Sequence, residues 1–241
     1  MPEPRRSAYK LYRLFWAGLD LIYPPICGGC GKAGVSWCEA CQEKVQIIQP
    51  PICNFCGRRL KASGLCALCR TWRPHFEAMR SWADFEGPLR EALHRLKYER
   101  DIGLGVVLAR PLIQYLVDAG WPVHVVVPVP LGVARQRERG YNQAALIARP
   151  VALASGLAYR PKALRRVRET HSQVGLSLEE RRENVREAFK ARPDLVAGVN
   201  VLIVDDTVTT AATMEACAVG LKEAGAERVY GLSVARAVRS Q

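Results

Sequence analysis

Val201-Leu202-Ile203-Val204-Asp205-Asp206-Thr207-Val208-Thr209-Thr210-Ala211-Ala212-Thr213 joins four apolar residues, two carboxylates and a hydroxyl-rich turn in one run. The apolar quartet reads as a buried strand. The turn opens a helix that Met214, Cys217, Ala218 and Leu221 continue at i, i+3, i+4, i+7 spacing, with Gly225 as its C-terminal stop. On that pattern Cys217 is a small core residue rather than a ligand. A buried strand that delivers two carboxylates at its C-terminal end sets them where open α/β sheets bind ligands. The turn aims backbone N–H groups and Thr hydroxyls at one point, with the positive end of a helix behind them, which suits a phosphate. Carboxylates beside a phosphate cradle point to a phosphorylated sugar.

The same texture runs outward from about residue 77. Further strands are expected at Val123–Val127 and Arg228–Val234, and helices at Leu89–Tyr98, Val106–Ala119, Asn142–Ser155, Glu179–Ala188 and Ala212–Ala224. Continuous apolar strands alternating with helices imply an α/β fold with a parallel sheet covered on both faces.

Ahead of that region the residue usage changes. Eight of nine cysteines form four Cys-x-x-Cys pairs, Cys27/Cys30, Cys38/Cys41, Cys53/Cys56 and Cys66/Cys69, separated by 7, 11 and 9 residues. This is knuckle spacing for tetrahedral thiolate zinc, each pair straddling a tight turn. The glycines of Cys30-Gly31 and Cys56-Gly57 let backbone amides turn toward sulfur. Two structural four-cysteine sites, and so about two Zn²⁺ per chain, are expected. Consecutive pairing closes shorter loops than a cross-brace and is favoured on chain entropy. Such closed sites fold a module and leave no open position for chemistry.

The chain has 241 residues, 49% hydrophobic and 24% charged, which fits a small domain ahead of a larger one and excludes a mostly disordered or collagen-like protein. The expected boundary divides residues 1–76 from 77–241. A formal charge of +12 favours polyanionic partners, nucleic acid or phosphorylated small molecules. Arg58, Arg59, Lys61, Arg70 and Arg73 gather around the second pair of knuckles, with Phe55 and Trp72 nearby. They read either as a platform on which single-stranded bases stack or as aromatic caps beside a solvated basic face. Leu11 to Ile26 is interrupted by Arg13, Asp20 and Pro24-Pro25. It falls short of the roughly 20 apolar residues of a membrane span and lacks a signal cleavage site, so a cytoplasmic protein without an integral membrane segment is expected.

The segment from Val201 to Thr213 resembles the 5-phosphoribosyl-1-pyrophosphate (PRPP) motif of type I phosphoribosyltransferases. Together with the four knuckles, Arg139-Gly140-Tyr141-Asn142-Gln143, Gln173 and Glu180-Arg181-Arg182-Glu183-Asn184-Val185, it is similar to the ComF family, the ComFC-type competence proteins. The resemblance covers nearly the whole chain. It implies a type I phosphoribosyltransferase-like parallel sheet with a small N-terminal zinc-binding module, a double zinc ribbon. It further implies PRPP with Mg²⁺ as ligand, and single-stranded DNA and other competence proteins as partners during DNA uptake.

Carried over residue by residue, it assigns Asp205 and Asp206 to the ribose hydroxyls, directly or through Mg²⁺. Thr207, Val208, Thr209, Thr210, Ala211, Ala212 and Thr213 then cradle the 5-phosphate. One departure is Ala211, which stands where the motif usually has glycine and where a methyl group opposes positive φ. Pro130 and Leu131, within Pro128-Val129-Pro130-Leu131, resemble the loop that meets pyrophosphate. Arg135 and Arg139 follow as phosphate contacts, with Arg139 expected beside Gly140 at a helix start, Arg137 as a surface charge, and Lys97 as a further cation. The polar stretch from Arg165 to Arg182 resembles the loop that closes over PRPP, with Gln173 and Arg182 as its ligand contacts and His171 as an ordinary loop residue. No base-selecting hood is recognisable. Two readings result: a competence-associated protein that binds PRPP and handles single strands, or an active phosphoribosyltransferase of nucleotide metabolism acting on an unidentified base.

Overall fold

The computed structural model describes residues 4–168 and 188–237. In chain order the elements are helices α1 (Pro4–Ile22), α2 (Glu39–Glu43) and α3 (Ala67–Thr71), strand β1 (Ala78–Asp84), helices α4 (Gly87–Tyr98) and α5 (Leu104–Ala119), and strand β2 (Val125–Pro128). There follow α6 (Val133–Arg139), α7 (Gln143–Ser155), β3 (Ala158–Tyr159), β4 (Leu164–Arg166), β5 (Phe189–Ala191), α8 (Pro193–Val196), β6 (Asn200–Val208), α9 (Ala212–Glu223) and β7 (Arg228–Arg236). Five strands form one sheet in the order β1-β7-β6-β2-β3, with every neighbouring pair parallel. The remaining two, β4 and β5, make a small antiparallel hairpin.

Alternation along β6 sorts its side chains into two cores. Val201 and Ile203 join Met214, Cys217, Ala218 and Leu221 of α9 on one face. Leu202 and Val204 join residues of α4, α5 and α7 on the other. The apolar quartet is therefore buried from both sides, as a parallel strand requires. Cys217 is fully buried in the first core.

The chain leaves β2 toward β3 through α7 on one face, and leaves β6 toward β7 through α9 on the other. The direction of winding thus reverses between β2 and β6, and the crevice beyond their carboxyl ends is the switch point where open α/β sheets bind ligands.

The cysteine-rich stretch backs onto the β1 edge. Met79 N–H donates to Phe55 O at 2.7 Å, Ile48 N–H to Trp82 O at 2.9 Å and Asp84 N–H to Gln46 O at 2.9 Å, which satisfies an edge that would otherwise be open to pairing. Cys53, Cys56, Cys66 and Cys69 share the core of α9, while Cys27, Cys38 and Cys41 cluster with Trp37.

Several expectations change. The strand expected to stop at the carboxylates runs on to Val208, because β7 keeps pairing as far as Arg236 while β2 ends at Pro128 opposite Val204. Leu11 to Ile26 contributes most of its residues to α1, and no helix of the described residues is long and apolar enough to cross a membrane. Of the helix expected at Glu179–Ala188, residues 179–187 lie outside the described residues and Ala188 sits in a bend.

Candidate functional site

Asp205 and Asp206 are 8% and 3% exposed and lie where β6 has outrun β2. Being adjacent in a strand, they face opposite sides of the sheet, and their surroundings differ accordingly. Asp206 accepts from Gln143 Nε2 at 2.8 Å and from Thr207 Oγ1 at 2.8 Å, and is ion-paired with Lys97 Nζ. Lys97 also donates to Thr207 Oγ1 at 3.2 Å. Burial pushes the Asp206 carboxyl up, but Lys97, Gln143 and Thr207 outweigh it and hold the group below the usual carboxylate range. Asp205 accepts the Asp206 backbone N–H at 2.8 Å. Burial and the neighbouring Asp206 charge raise its pKa well above the ordinary value.

The supporting shell comes from α4, α6 and α7. Arg139 Nη1 donates to Gln143 Oε1 at 2.9 Å and lies 4.9 Å over the Tyr98 ring. A line of contacts thus runs Arg139, Gln143, Asp206, Lys97. Asn142 caps α7 by accepting from Ala144 N at 2.9 Å, while its Nδ2 donates to Val129 O at 2.9 Å and pins the loop after β2. Pro130 and Leu131 are half-buried in that loop.

The turn from Thr207 to Thr213 presents Thr209 to solvent and leaves Thr207, Thr210 and Thr213 half-exposed. Ala211 occupies the N-cap of α9 with φ 67° and ψ 9°, and no side chain caps the helix. The first N–H groups of this twelve-residue helix are therefore left without a side-chain partner beside the threonine hydroxyls. Ala211 adopts the conformation for which glycine is the ordinary choice.

Lys97 is thus brought to the carboxylates, and Arg139 reaches them only through Gln143. Arg139 is the last residue of α6 and is buried, with Gly140 as its left-handed C-cap, and so does not stand at a helix start. Arg135 and Arg137 are exposed on the same short helix, and no described contact joins them to the carboxylates. Gln173 and Arg182 lie outside the described residues, as does His171. Gln143, which closes the Arg139–Gln143 motif, is a site residue that residue type alone does not mark. Its one local signal is its place as the first residue of α7, directly after the Asn142 cap.

The cysteines gather as Cys27, Cys30, Cys38, Cys41 and as Cys53, Cys56, Cys66, Cys69, with the sulfurs of each group within 4.8 Å of one another. Cys30 Sγ and Cys38 Sγ lie 3.6 Å apart, and Cys56 Sγ and Cys66 Sγ 3.8 Å. Four thiolates about 2.3 Å from a tetrahedral Zn²⁺ would stand roughly 3.8 Å from each other, so both groups fit that ion. Cys38 N–H points to Cys27 Sγ and Cys66 N–H to Cys53 Sγ, each at 3.4 Å. Burial pushes the Cys27 thiol up, but the N–H groups of Cys38, Gly29 and Cys30 prevail and bring it down to about 6. In the second group Cys53 is brought down to about 7 in the same way. Gly31 and Gly57 have φ of 76° and 68°, and a Cβ on Gly57 would stand 2.5 Å from Met79 O.

The basic face is partly engaged. Arg59 is bonded to Asp84 at 2.8 Å, and Arg73 lies 5.6 Å over Phe55, itself half-buried against the core. Phe55 therefore behaves as a cap, whereas Trp72 is 47% exposed.

Residues 18–70 match the double zinc ribbon domain, and residues 103–236 match the phosphoribosyl transferase domain. The chain is 35% identical to the DNA utilization protein YhgH of Salmonella typhi over 169 residues, 68% of this chain and 74% of that protein. It is 29% identical to competence protein F of Haemophilus influenzae over 211 residues, 83% and 90% of the two. Among solved structures, an allosteric regulatory enzyme of purine biosynthesis is similar at 25% identity over 55% of this chain, with a TM-score of 0.35. This chain spans 24% of that enzyme's length.

Proposed function

The chain belongs to the ComF family, whose double zinc ribbon precedes a phosphoribosyltransferase domain, and on that premise we propose that it binds PRPP with Mg²⁺ and handles single-stranded DNA in DNA uptake. The observation that carries the ligand is the uncapped start of α9, with its threonine hydroxyls, set beside two buried carboxylates at the switch point of the sheet. The helix start and hydroxyls hold the 5-phosphate. Asp205 and Asp206 take the ribose hydroxyls, and their oxygens are the donor type that Mg²⁺ prefers. Lys97 and the Pro130–Leu131 loop face the pyrophosphate side, with Arg135 and Arg139 as further cations near that loop, and Arg139 acting through Gln143. From the sequence resemblance, Gln173 and Arg182 complete the contacts. Zn²⁺ fills the two four-cysteine groups and serves to fold the ribbon.

The DNA role is supported by the names of the relatives, DNA utilization and competence proteins, and by the formal charge of +12. Other competence proteins are the proposed macromolecular partners, and the cytoplasm the proposed location. A second reading, transfer of ribose 5-phosphate to a base nitrogen with displacement of pyrophosphate, is favoured by the phosphoribosyl transferase match.

The test is a calorimetric titration of the zinc-loaded protein with PRPP·Mg²⁺, followed by an assay of pyrophosphate release over a panel of free bases and single-stranded DNA. Binding that weakens at least tenfold in Asp205→Asn supports the site, and equal affinity in the variant removes it. Single-strand affinity is expected to fall steeply with salt; absent or salt-independent binding removes the DNA role. Release that depends on an acceptor base transfers the conclusion to the second reading.

A further inference from the structure

Arg236, the last residue of β7, is 4% exposed and bridges two parts of the molecule that are far apart in sequence. Its Nη2 donates to Cys56 O, inside the second four-cysteine group, and lies 3.9 Å from Met79 Sδ. The Nη1 donates to Thr209 O at 3.3 Å, inside the turn that opens α9. Among the described residues no carboxylate pairs with it. Burial works against its charge, and so does Arg58, while the neighbouring Cys56, Cys66 and Cys53 sulfurs favour it.

Arg95 supplies the contrast. It donates to Cys27 O, in the first four-cysteine group, at 3.0 Å, but it has Asp101 at 2.7 Å as its counter-ion. A guanidinium stays charged at every working pH, and burying one without an anion is costly. Four thiolates on one Zn²⁺ carry two negative charges in excess, which is the compensation Arg236 otherwise lacks.

A second link joins the same two regions. His75, shortly after the last knuckle, meets Glu215 in the first turn of α9 through its backbone N–H at 3.0 Å and through Nδ1 at 2.6 Å. The second four-cysteine group is therefore strapped to the turn at one end and to its helix at the other.

We propose that Arg236 is a positioning residue that couples the second zinc site to the phosphate-binding turn. The guanidinium serves as buried counter-ion to the thiolate-bound metal, and through the Thr209 carbonyl it fixes the turn between Thr207 and Thr213. The phosphate role of that turn rests on the proposed function above, whereas the coupling itself does not.

The experiment compares full-length, zinc-loaded wild type with Arg236→Met and Arg236→Lys, without PRPP. Two readouts are followed: zinc transfer to a chromophoric chelator, and amide hydrogen exchange of Glu215 and Ala237, whose N–H groups donate to Ala211 O and Val208 O of the turn, with β2 and α5 as internal reference. In Arg236→Met one zinc ion is expected to leave at least tenfold faster, and these two amides to exchange at least tenfold faster, with the reference amides still protected. Arg236→Lys keeps the charge but not the fork, so it should retain zinc near the wild-type rate while the turn loosens. Both readouts within twofold of wild type in Arg236→Met, or one moving without the other, overturns the coupling. If Arg236→Met loses protection throughout, Arg236→Lys decides, and an unchanged turn there overturns the proposal. Titration with PRPP·Mg²⁺ completes the set, with binding about tenfold weaker expected in Arg236→Met. A wild type that binds no PRPP overturns the functional reading and leaves the zinc and exchange results to judge the coupling.

Discussion

Lys97 in the last turn of α4 is ion-paired with Asp206 on β6, across 109 residues of chain, and both side chains are nearly buried. The lysine neutralises a carboxylate that burial alone would keep protonated. Because Asp206 is held below the usual range, it contributes stability above its unfolded value, and that contribution fades as pH falls through the folded one. Lys97→Met leaves the carboxylate with only Gln143 and Thr207. The variant is expected to lose about 3–5 kcal/mol at pH 7. The loss should shrink toward pH 4, where the stranded carboxyl takes up a proton. Urea unfolding at the two pH values checks both statements.

Asp205 behaves in the opposite sense. Its pKa is raised by burial and by Asp206, so the folded state favours the protonated form, and its contribution to stability is lost as pH rises through the folded value. Asp205→Asn is therefore expected to melt higher than wild type at pH 8 and to match it in acid. Substitution of Asp206 by Asn breaks the Lys97 pair and lowers the melting temperature. If the ligand engages an ionised Asp205, binding of PRPP·Mg²⁺ releases a proton. Affinity then rises with pH, and the apparent binding heat depends on buffer ionisation enthalpy. Heats equal in two buffers of different ionisation enthalpy would contradict the assignment.

The parts of this architecture readable from sequence are those where one physical signal acts alone. β6 and β7 announce themselves because burial on both faces demands continuous apolar runs, and α9 because its buried stripe keeps helical spacing. β1 was not legible, since Arg80, Ser81 and Asp84 break its apolar character. Its outer edge is satisfied by the ribbon backbone at residues 46–48 and 55, a long-range contact with no local signature. The helix at Val133–Arg139 was likewise hidden by its charge. In the site, the carboxylates and Lys97 were candidates on residue type and place in the sequence. Gln143 and Arg236 were not, because a lone glutamine or a strand-ending arginine acquires meaning only from what folding brings beside it.

The two cysteine groups differ in surroundings but share one geometry, which fixes the expected metal content. Elemental analysis of protein purified in reducing buffer is expected to give about two Zn per chain. A value near zero would overturn the ribbon's assignment. Exhaustive chelation should loosen more than the ribbon, because the second group shares a core with α9 and its backbone hydrogen-bonds β1. Far-UV dichroism and amide exchange should therefore both report loss of order in the sheet edge. If chelation leaves β1 and α9 as protected as before, the metal does not support that core.

Ala211 is one of two non-glycine residues with positive φ among the described residues. A left-handed conformation costs an L-residue roughly 1–2 kcal/mol. Glycine removes that cost but adds about 0.5–1 kcal/mol of unfolded-chain entropy. Ala211→Gly should therefore stabilise the protein by about 0.5–1 kcal/mol, raising the melting temperature by about 1–4 °C for a chain of this size. Ala211→Val should lower it by more, since a β-branched side chain tolerates positive φ poorly. The turn keeps its shape in the glycine variant, so under the proposed function PRPP affinity should hold or improve. A destabilised glycine variant would mean that the turn is not left-handed at this position in solution. The uncapped α9 start, on which the phosphate assignment depends, would then have to be reconsidered.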